Sequence, residues 1–181
     1  MKHPETLAPV LRLLSGIGID LRRGAVSEDS FLPGVAIRRG GLVYDASRLL
    51  SPGDLLHEAG HLAVLPSNMR TQVSGDIDAS LAALQADQAG AAAIDHTDLA
   101  PIAWSYAAAL AINMDPVFIF DAAGYGAGEG GDVAVIASQL AMGLFPGIMM
   151  LEKAGLCAAP PPLGDGRHPA PYPHMTRWLA A

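Results

Sequence analysis

The spacing of apolar and polar residues predicts one helix and three strands in the first quarter of the chain. Within residues 4–15, apolar side chains recur every three or four positions, which predicts a short amphipathic helix. Residues 17–26 alternate loosely between apolar and polar positions and predict a strand. Residues 34–45 contain two short β-rich runs on either side of Gly40-Gly41, a pattern typical of a β-hairpin.

The segment 51–65, SPGDLLHEAGHLAVL, carries the most complete set of helix signals. Ser51 is a favoured N-cap, Pro52 suits the first helical position, and Asp54 places a carboxylate at the positive end of the helix dipole. Pro66 then ends the helix, because the residue before a proline is disfavoured in helical conformation. The sequence therefore predicts a helix that begins after Ser51 and ends before Pro66.

The second half of the chain is rich in alanine and predicts mostly helical structure. Helices are predicted over residues 79–94 and 99–113, and a short strand over 117–120. Residues 133–151 are an uncharged run, but polar residues, glycine and proline dilute it and no basic cluster flanks its start. We interpret it as a buried helix followed by a Pro-Gly turn, so no membrane span is expected. The fold class predicted is α+β, with N-terminal strands followed by a mostly helical half.

Composition limits the domain organisation and the partners. A chain of 181 residues suits one domain, which we place at 1–157, followed by a proline-rich extended tail at 158–181. Basic residues are few and the net charge is −7, which argues against nucleic-acid binding. Cys157 is the one cysteine, so no intrachain disulfide is possible, and the N-terminus lacks the pattern of a signal peptide. These features predict a cytoplasmic protein.

The candidate chemistry lies in His57-Glu58-Ala59-Gly60-His61, the pattern H-E-x-x-H. Residues four apart stack on one face of a helix, so His57 and His61 can both direct a ring nitrogen toward one zinc ion. Glu58 lies beside that face, where its carboxylate can act as a general base on a zinc-bound water. The alternative is two solvated or hydrogen-bonded histidines on an amphipathic helix.

Residues 34–65, a hairpin followed by the H-E-x-x-H helix, resemble the core of the zincin metallopeptidases, in particular the compact intracellular type that cleaves phage and stress regulators. The resemblance is specific at His57, Glu58 and His61. It implies a zinc-dependent peptidase that acts on a peptide or protein substrate. It also implies an edge strand that pairs with that substrate, for which Gly41 to Tyr44 is the candidate.

The third metal ligand is the part of the pattern that departs from the family. Many zincins take it from a glutamate on the helix behind the motif, but no glutamate lies between Glu58 and Glu129. Asp98, near the start of the helix predicted over 99–113, is the expected substitute, provided that its helix approaches closely. The alternative role for Asp98 is an N-cap or a first-turn charge. Further candidate ligands are Asp95, His96, Glu129, Asp132, His168 and His174.

Three other assignments remain open in the sequence. An oxyanion donor is expected among Tyr44, Tyr106, Tyr125, Arg70 and the tail histidines. The glycines of 126–131 match G-x-G-x-x-G, which makes a dinucleotide site formally possible. Because the expected glutamate ligand is absent, the alternative function is a catalytically silent zincin-like module that binds a peptide or protein, with a structural or vestigial metal.

Overall fold

The structure is a computed structural model that describes residues 1–87, 97–120, 133–160 and 170–181. Within those residues the fold is mixed α+β, about half helical, with one small sheet. The helices are α1 (Leu7–Gly16), α2 (Pro52–Val64), α3 (Ser67–Arg70), α4 (Ile77–Asp87), α5 (Leu99–Ala111), α6 (Val133–Ala141) and α7 (Pro146–Lys153); the strands are β1 (Leu21–Arg23), β2 (Val35–Arg38) and β3 (Gly41–Tyr44). The predicted α+β class is confirmed.

The sheet has the order β1-β3-β2, with β1 parallel and β2 antiparallel to β3. The predicted hairpin is confirmed, but its loop is Arg39-Gly40 rather than Gly40-Gly41. Arg39 and Gly40 have φ angles of 49° and 72°, and positive φ at both loop residues matches the twist of a two-residue hairpin. Gly41 instead begins β3, where it pairs with Arg38.

The short strand predicted over 117–120 is wrong, since Pro116–Phe120 forms a 3-10 helix. The Asp115 carboxylate accepts a hydrogen bond from the Val117 N–H at 3.0 Å. Such a side-chain bond two residues ahead starts a turn and competes with extended structure. Ile119 and Phe120 are nevertheless buried, so these apolar residues belong to the core although they lie in a helical turn and not in a strand.

The core is built around α2, which packs against α1, α5, the sheet and the 116–120 turn. Leu55, Leu56 and Leu62 of α2 and Trp104 of α5 are fully buried. Because α2 is enclosed by the rest of the fold, both histidines of its motif are buried as well, His57 at 1% and His61 at 9% exposure. The helix that carries the candidate chemistry is therefore also the centre of the core.

The uncharged run 133–151 differs from the single buried helix that the sequence predicts. It forms α6 and part of α7; Leu140 is buried in α6, whereas Val135 is 49% exposed. Pro146 and Gly147 begin α7 instead of forming a turn, consistent with the preference for proline in the first helical turn. Among the described residues no single helix is long and apolar enough to cross a membrane; α6 and α7 pass that test only when taken together, across a 47° bend.

The described end of the chain, residues 170–181, is anchored to α2 and α5. The Trp178 carbonyl accepts a hydrogen bond from the Trp104 indole at 3.0 Å, and the two rings lie 5.5 Å apart edge to face. The Ala180 N–H donates to the Ala63 carbonyl at 2.8 Å. Trp178 therefore ties this end of the chain to α5.

Candidate metal centre

The N-terminus of α2 is fixed by a reciprocal pair of side-chain hydrogen bonds. The Ser51 hydroxyl accepts from the Gly53 N–H at 3.1 Å, and the Asp54 carboxylate accepts from the Ser51 N–H at 3.0 Å. Both side chains are about 1% exposed. This capping box satisfies helix donors that would otherwise be buried without partners. It fixes where the helix begins and therefore which face carries the histidines.

Three ligand atoms converge at one point of the structure. The Nε2 atoms of His57 and His61 are 3.0 Å apart. The Asp98 Oδ1 lies 3.1 Å from the His61 Nε2 and 3.8 Å from the His57 Nε2. The three residues form a group that can hold a metal ion. These are the three residues that the sequence predicts as metal ligands, and the structure brings them together.

The spacing of these atoms fits a small tetrahedral cation. Nitrogen and oxygen atoms placed about 2.0 Å from zinc at tetrahedral angles are about 3.3 Å from one another. The observed separations of 3.0, 3.1 and 3.8 Å bracket that value. Among the described residues the group supplies two imidazoles and one carboxylate, which are three of the four ligands that a tetrahedral zinc ion takes.

Asp98 reaches the histidines because α5 approaches α2 very closely. A Cβ atom built on Gly60 would lie 2.8 Å from the Pro101 carbonyl oxygen and 2.9 Å from the Pro101 Cα. Any side chain at position 60 would therefore push α5 away. Asp98 occupies the N-cap position of α5 but makes no side-chain capping hydrogen bond. Its carboxylate faces the histidines instead, so the alternative role as a helix cap is not what the structure shows.

Burial shifts the pKa values of His57 and Glu58, two titratable residues of the H-E-x-x-H motif. Burial lowers the pKa of His57 to about 3, with a further contribution from His61 and an opposing one from Asp98. His57 is therefore neutral at pH 7, the form that binds a metal. Burial also raises the pKa of Glu58 to about 7; His61 opposes this shift, while Asp98 and Asp54 reinforce it. A carboxylate with a pKa near 7 suits a general base at neutral pH.

The metal group lies in a cleft of about 570 Å³. One wall is β2, and Glu58 lines the same space as both histidines. The rest of the lining comes from loop residues within 27–32 and at 75–76, and from Ile77 and Asp78 at the start of α4. Five acidic side chains line the cleft, Asp29, Glu58, Asp76, Asp78 and Asp98, and Arg38 is the one lysine or arginine among its lining residues. The sequence did not indicate Asp29, Asp76, Asp78 and Arg38 as cleft residues, because no spacing along the chain shows that these segments meet α2.

Of the other predicted ligands and oxyanion donors, the four that the structure describes lie away from the group. His174 is exposed in the tail, and its ring contacts the Pro171 carbonyl. Arg70 donates to the carbonyls of Leu62, Leu65 and Ala180, so it secures the end of α2. Tyr44 and Tyr106 do not line the cleft. Asp95, His96, Glu129, Asp132, His168, Tyr125 and the glycines of 126–131 lie outside the described residues.

The expected edge strand is wrong in position. β3 (Gly41–Tyr44) is the central strand, since β1 and β2 flank it. β2 is the strand that lines the cleft. Its carbonyls at Val35 and Ile37 already accept hydrogen bonds, from the Ser30 hydroxyl at 2.6 Å and the Gly75 N–H at 2.9 Å. Alternate residues of a strand direct their carbonyls to the same side, so these two carbonyls lie on the edge of β2 that faces away from β3. A peptide that paired with this edge would find both acceptors already hydrogen-bonded.

Comparison with known proteins adds no assignment to this geometry. No family model matches the chain, and no similar curated protein or solved structure was found. The candidate site therefore stands on its own residues: two histidines and an aspartate that can hold a metal ion, beside a glutamate, in an open cleft.

Proposed function

We propose that the protein is a zinc-dependent metallopeptidase with a zincin-like fold, in which His57, His61 and Asp98 bind the ion and Glu58 is the general base. The observation that carries the proposal is the convergence of the three ligand atoms beside Glu58 in a cleft large enough for a polymer segment. Nitrogen ligands with one carboxylate and an open position favour zinc over magnesium or calcium, which prefer oxygen ligands.

The chemistry divides between the ion and the chain. A bound zinc ion supplies a Lewis acid that polarises a carbonyl group and acidifies water at neutral pH. The chain supplies the proton transfers: the ionised Glu58 carboxylate accepts a proton from the attacking water and later delivers it to the leaving amine. Burial raises the Glu58 pKa to about 7 in the metal-free chain, and a cation bound beside it would lower that pKa, so that the carboxylate is ionised at neutral pH and can accept the proton. The two histidines, fixed by the core around α2, hold the ligand geometry.

The first experiment measures zinc affinity of the metal-free chain by competition with a chelating dye. Asp98→Ala is expected to weaken zinc binding at least about 100-fold, because a directly coordinating group is lost. Asp29→Ala is the matched control, since Asp29 lines the same cleft but is not in the ligand group. Equal affinity of the two variants would remove Asp98 from the site.

The second experiment tests hydrolysis with a library of fluorescence-quenched peptides. Glu58→Gln is expected to keep zinc and to lose at least about 100-fold in rate, the usual contribution of a general base. If the zinc-loaded wild-type chain leaves every peptide of the library intact but binds some of them, the peptidase proposal fails. The protein would then be a peptide-binding module with a non-catalytic metal.

A further inference from the structure

A pocket of about 280 Å³ lies on the sheet beside the β2–β3 hairpin, and three arginines line it. They are Arg22 of β1, Arg38 at the end of β2 and Arg39 in the hairpin loop. The remaining lining is Asp20, Gly41, Leu42, Val43 and Ser74. Three of the 11 lysines and arginines of the chain therefore meet at one depression, although the net charge of the chain is −7.

The pairing of the strands explains why the arginines of β1 and β2 meet. The register places Arg38 opposite Gly41 and Arg22 opposite Val43, both on the central strand β3. Alternate residues of a strand share a face, so Gly41 and Val43 lie on one face together with their two cross-strand partners. Because Gly41 has no side chain, it leaves room between the two arginines.

Hydrogen bonds hold the hairpin loop, which carries the third arginine, against the segment 73–75. The Arg39 N–H donates to the Ser74 hydroxyl oxygen at 2.7 Å, and the Gly40 N–H donates to the Val73 carbonyl at 3.0 Å. Since the Ser74 oxygen accepts this bond, its own O–H can donate to a ligand in the pocket. The walls of the pocket are therefore in place before a ligand arrives, which lowers the entropy cost of binding.

The charges that line the pocket do not cancel. The Asp20 carboxylate contacts the Nε and Nη2 atoms of Arg22 at 3.0 and 2.8 Å, which holds that guanidinium in place. Within the part of the chain that the structure describes, the guanidinium groups of Arg38 and Arg39 have no hydrogen bond or ion pair. Three guanidinium groups and one carboxylate give an excess of two positive charges. These charges repel one another unless an anion lies between them.

Arg39 also occupies a backbone conformation that favours other residues. Its φ angle is 49°, and asparagine or glycine is preferred at such a position of a two-residue hairpin loop. Residues held in sparsely populated backbone conformations cluster at functional sites. An arginine here makes the hairpin less stable, but it adds a cation to the pocket.

We infer that this pocket binds a phosphate group, either inorganic phosphate or the phosphate of a small monoester. Guanidinium groups donate paired hydrogen bonds to phosphate oxygens. A phosphate monoester carries about −1.5 to −2 charges at pH 7, which matches the excess in the pocket, whereas a carboxylate carries only one. The volume of about 280 Å³ is close to the lower end of the range for small-molecule pockets. The inference does not depend on the proposed function, because it needs neither the metal nor Glu58.

The test measures phosphate binding to the full chain after removal of metal and chelator, so that no metal ion can hold the phosphate. Equilibrium dialysis with radiolabelled phosphate is expected to give one bound phosphate per chain, with a dissociation constant of about 1 mM or below. Unlabelled O-phosphoserine should displace the label, whereas serine and acetate at the same concentration should not. Displacement by O-phosphoserine at least about 10-fold more effective than by unlabelled phosphate identifies an organic monoester as the ligand, and equal displacement identifies free phosphate.

Three variants assign the binding to this pocket. Arg38→Gln and Arg39→Asn should each weaken phosphate binding at least about 10-fold, because a charge-assisted hydrogen bond is lost. Asparagine is favoured at positive φ, so Arg39→Asn removes the cation without destabilising the hairpin. Arg23→Gln is the matched control, since Arg23 is an exposed neighbour on β1 that does not line the pocket. At about 0.15 M salt it should change the affinity less than about 2-fold, because salt screens distant charges.

The inference is overturned if the dissociation constant for phosphate exceeds about 1 mM. Binding that is unchanged in both Arg38→Gln and Arg39→Asn would place the phosphate elsewhere and overturn it too. Equal losses in Arg23→Gln and in the two pocket variants would also overturn it, because the phosphate would then respond to the general charge of the sheet and not to the pocket. None of these results depends on zinc binding or hydrolysis, so the proposed function is tested separately.

Discussion

Replacing Glu58 by glutamine should stabilise the metal-free protein, and the gain should depend on pH. Burial raises the pKa of this carboxyl from 4.5 to about 7. The folded state therefore binds the Glu58 proton more tightly than the unfolded state does. Stability linked to this proton is complete below pH 4.5 and is lost as the pH rises through 7. Glutamine does not titrate, so the Glu58→Gln variant should not lose this stability as the pH rises.

The magnitude follows from the size of the shift. Each pKa unit corresponds to about 1.4 kcal/mol, so the shift between 4.5 and about 7 amounts to about 3 kcal/mol at pH 8. At pH 5 the folded protein still carries the proton, and the linked loss is under about 1 kcal/mol. We therefore expect Glu58→Gln to raise the free energy of unfolding by about 2 kcal/mol more at pH 8 than at pH 5.

The assay is urea unfolding in the presence of EDTA at both pH values. Glu28→Gln serves as the control, because Glu28 is exposed and does not line the cleft, and it should change the free energy of unfolding by less than about 0.5 kcal/mol at either pH. Added zinc should reduce the pH dependence, because a cation beside the carboxylate lowers its pKa. The same stabilisation at pH 5 and pH 8 would refute the assignment of a raised pKa to Glu58.

Two further substitutions test how α2 is held. Gly60→Ala should lower the free energy of unfolding by about 1–3 kcal/mol and weaken zinc binding, because the new Cβ would lie 2.8 Å from the Pro101 carbonyl oxygen. The control Gly16→Ala, whose new Cβ has no atom within 4 Å, should lower neither the free energy of unfolding nor the zinc affinity. Ser51→Ala should lower the free energy of unfolding, measured in urea, by about 1 kcal/mol through loss of the N-cap. The control Ser15→Ala, at an exposed helical position, should not lower it. Equal effects of Gly60→Ala and Gly16→Ala would contradict the close packing of α2 on α5, and equal effects of Ser51→Ala and Ser15→Ala would contradict the capping.

The close contact at position 60 explains how the short side chain of Asp98 can reach the two histidines. Aspartate is one methylene shorter than glutamate, so its helix must lie nearer to the histidines. Gly60 removes the side chain that would separate α2 from α5, and the Pro101 backbone occupies the space. The glycine within H-E-A-G-H therefore helps to bring Asp98 to the two histidines, although it has no side chain of its own.

Features that depend on neighbouring residues could be predicted from the sequence. The start of α2 follows from Ser51, Pro52 and Asp54, and the structure confirms Ser51 as the N-cap; that Asp54 also caps the helix, by accepting from the Ser51 N–H, was not predicted. The position of the histidines on one helical face follows from their spacing alone. The strand predicted over 117–120 failed for a local reason too, since the Asp115 side chain starts a helical turn there.

The sequence by itself determined the α2 helix, the two histidines that face one point and the glutamate between them, because spacing and capping act within a few residues. Only the tertiary structure decided that Asp98 turns to the histidines rather than capping α5, that β3 is central and β2 lines the cleft, and that three arginines line one pocket on the sheet. Each of these depends on which segments distant in sequence pack together. The packing of distant segments is driven by the total apolar surface buried around α2, and it cannot be deduced from any single stretch of the sequence.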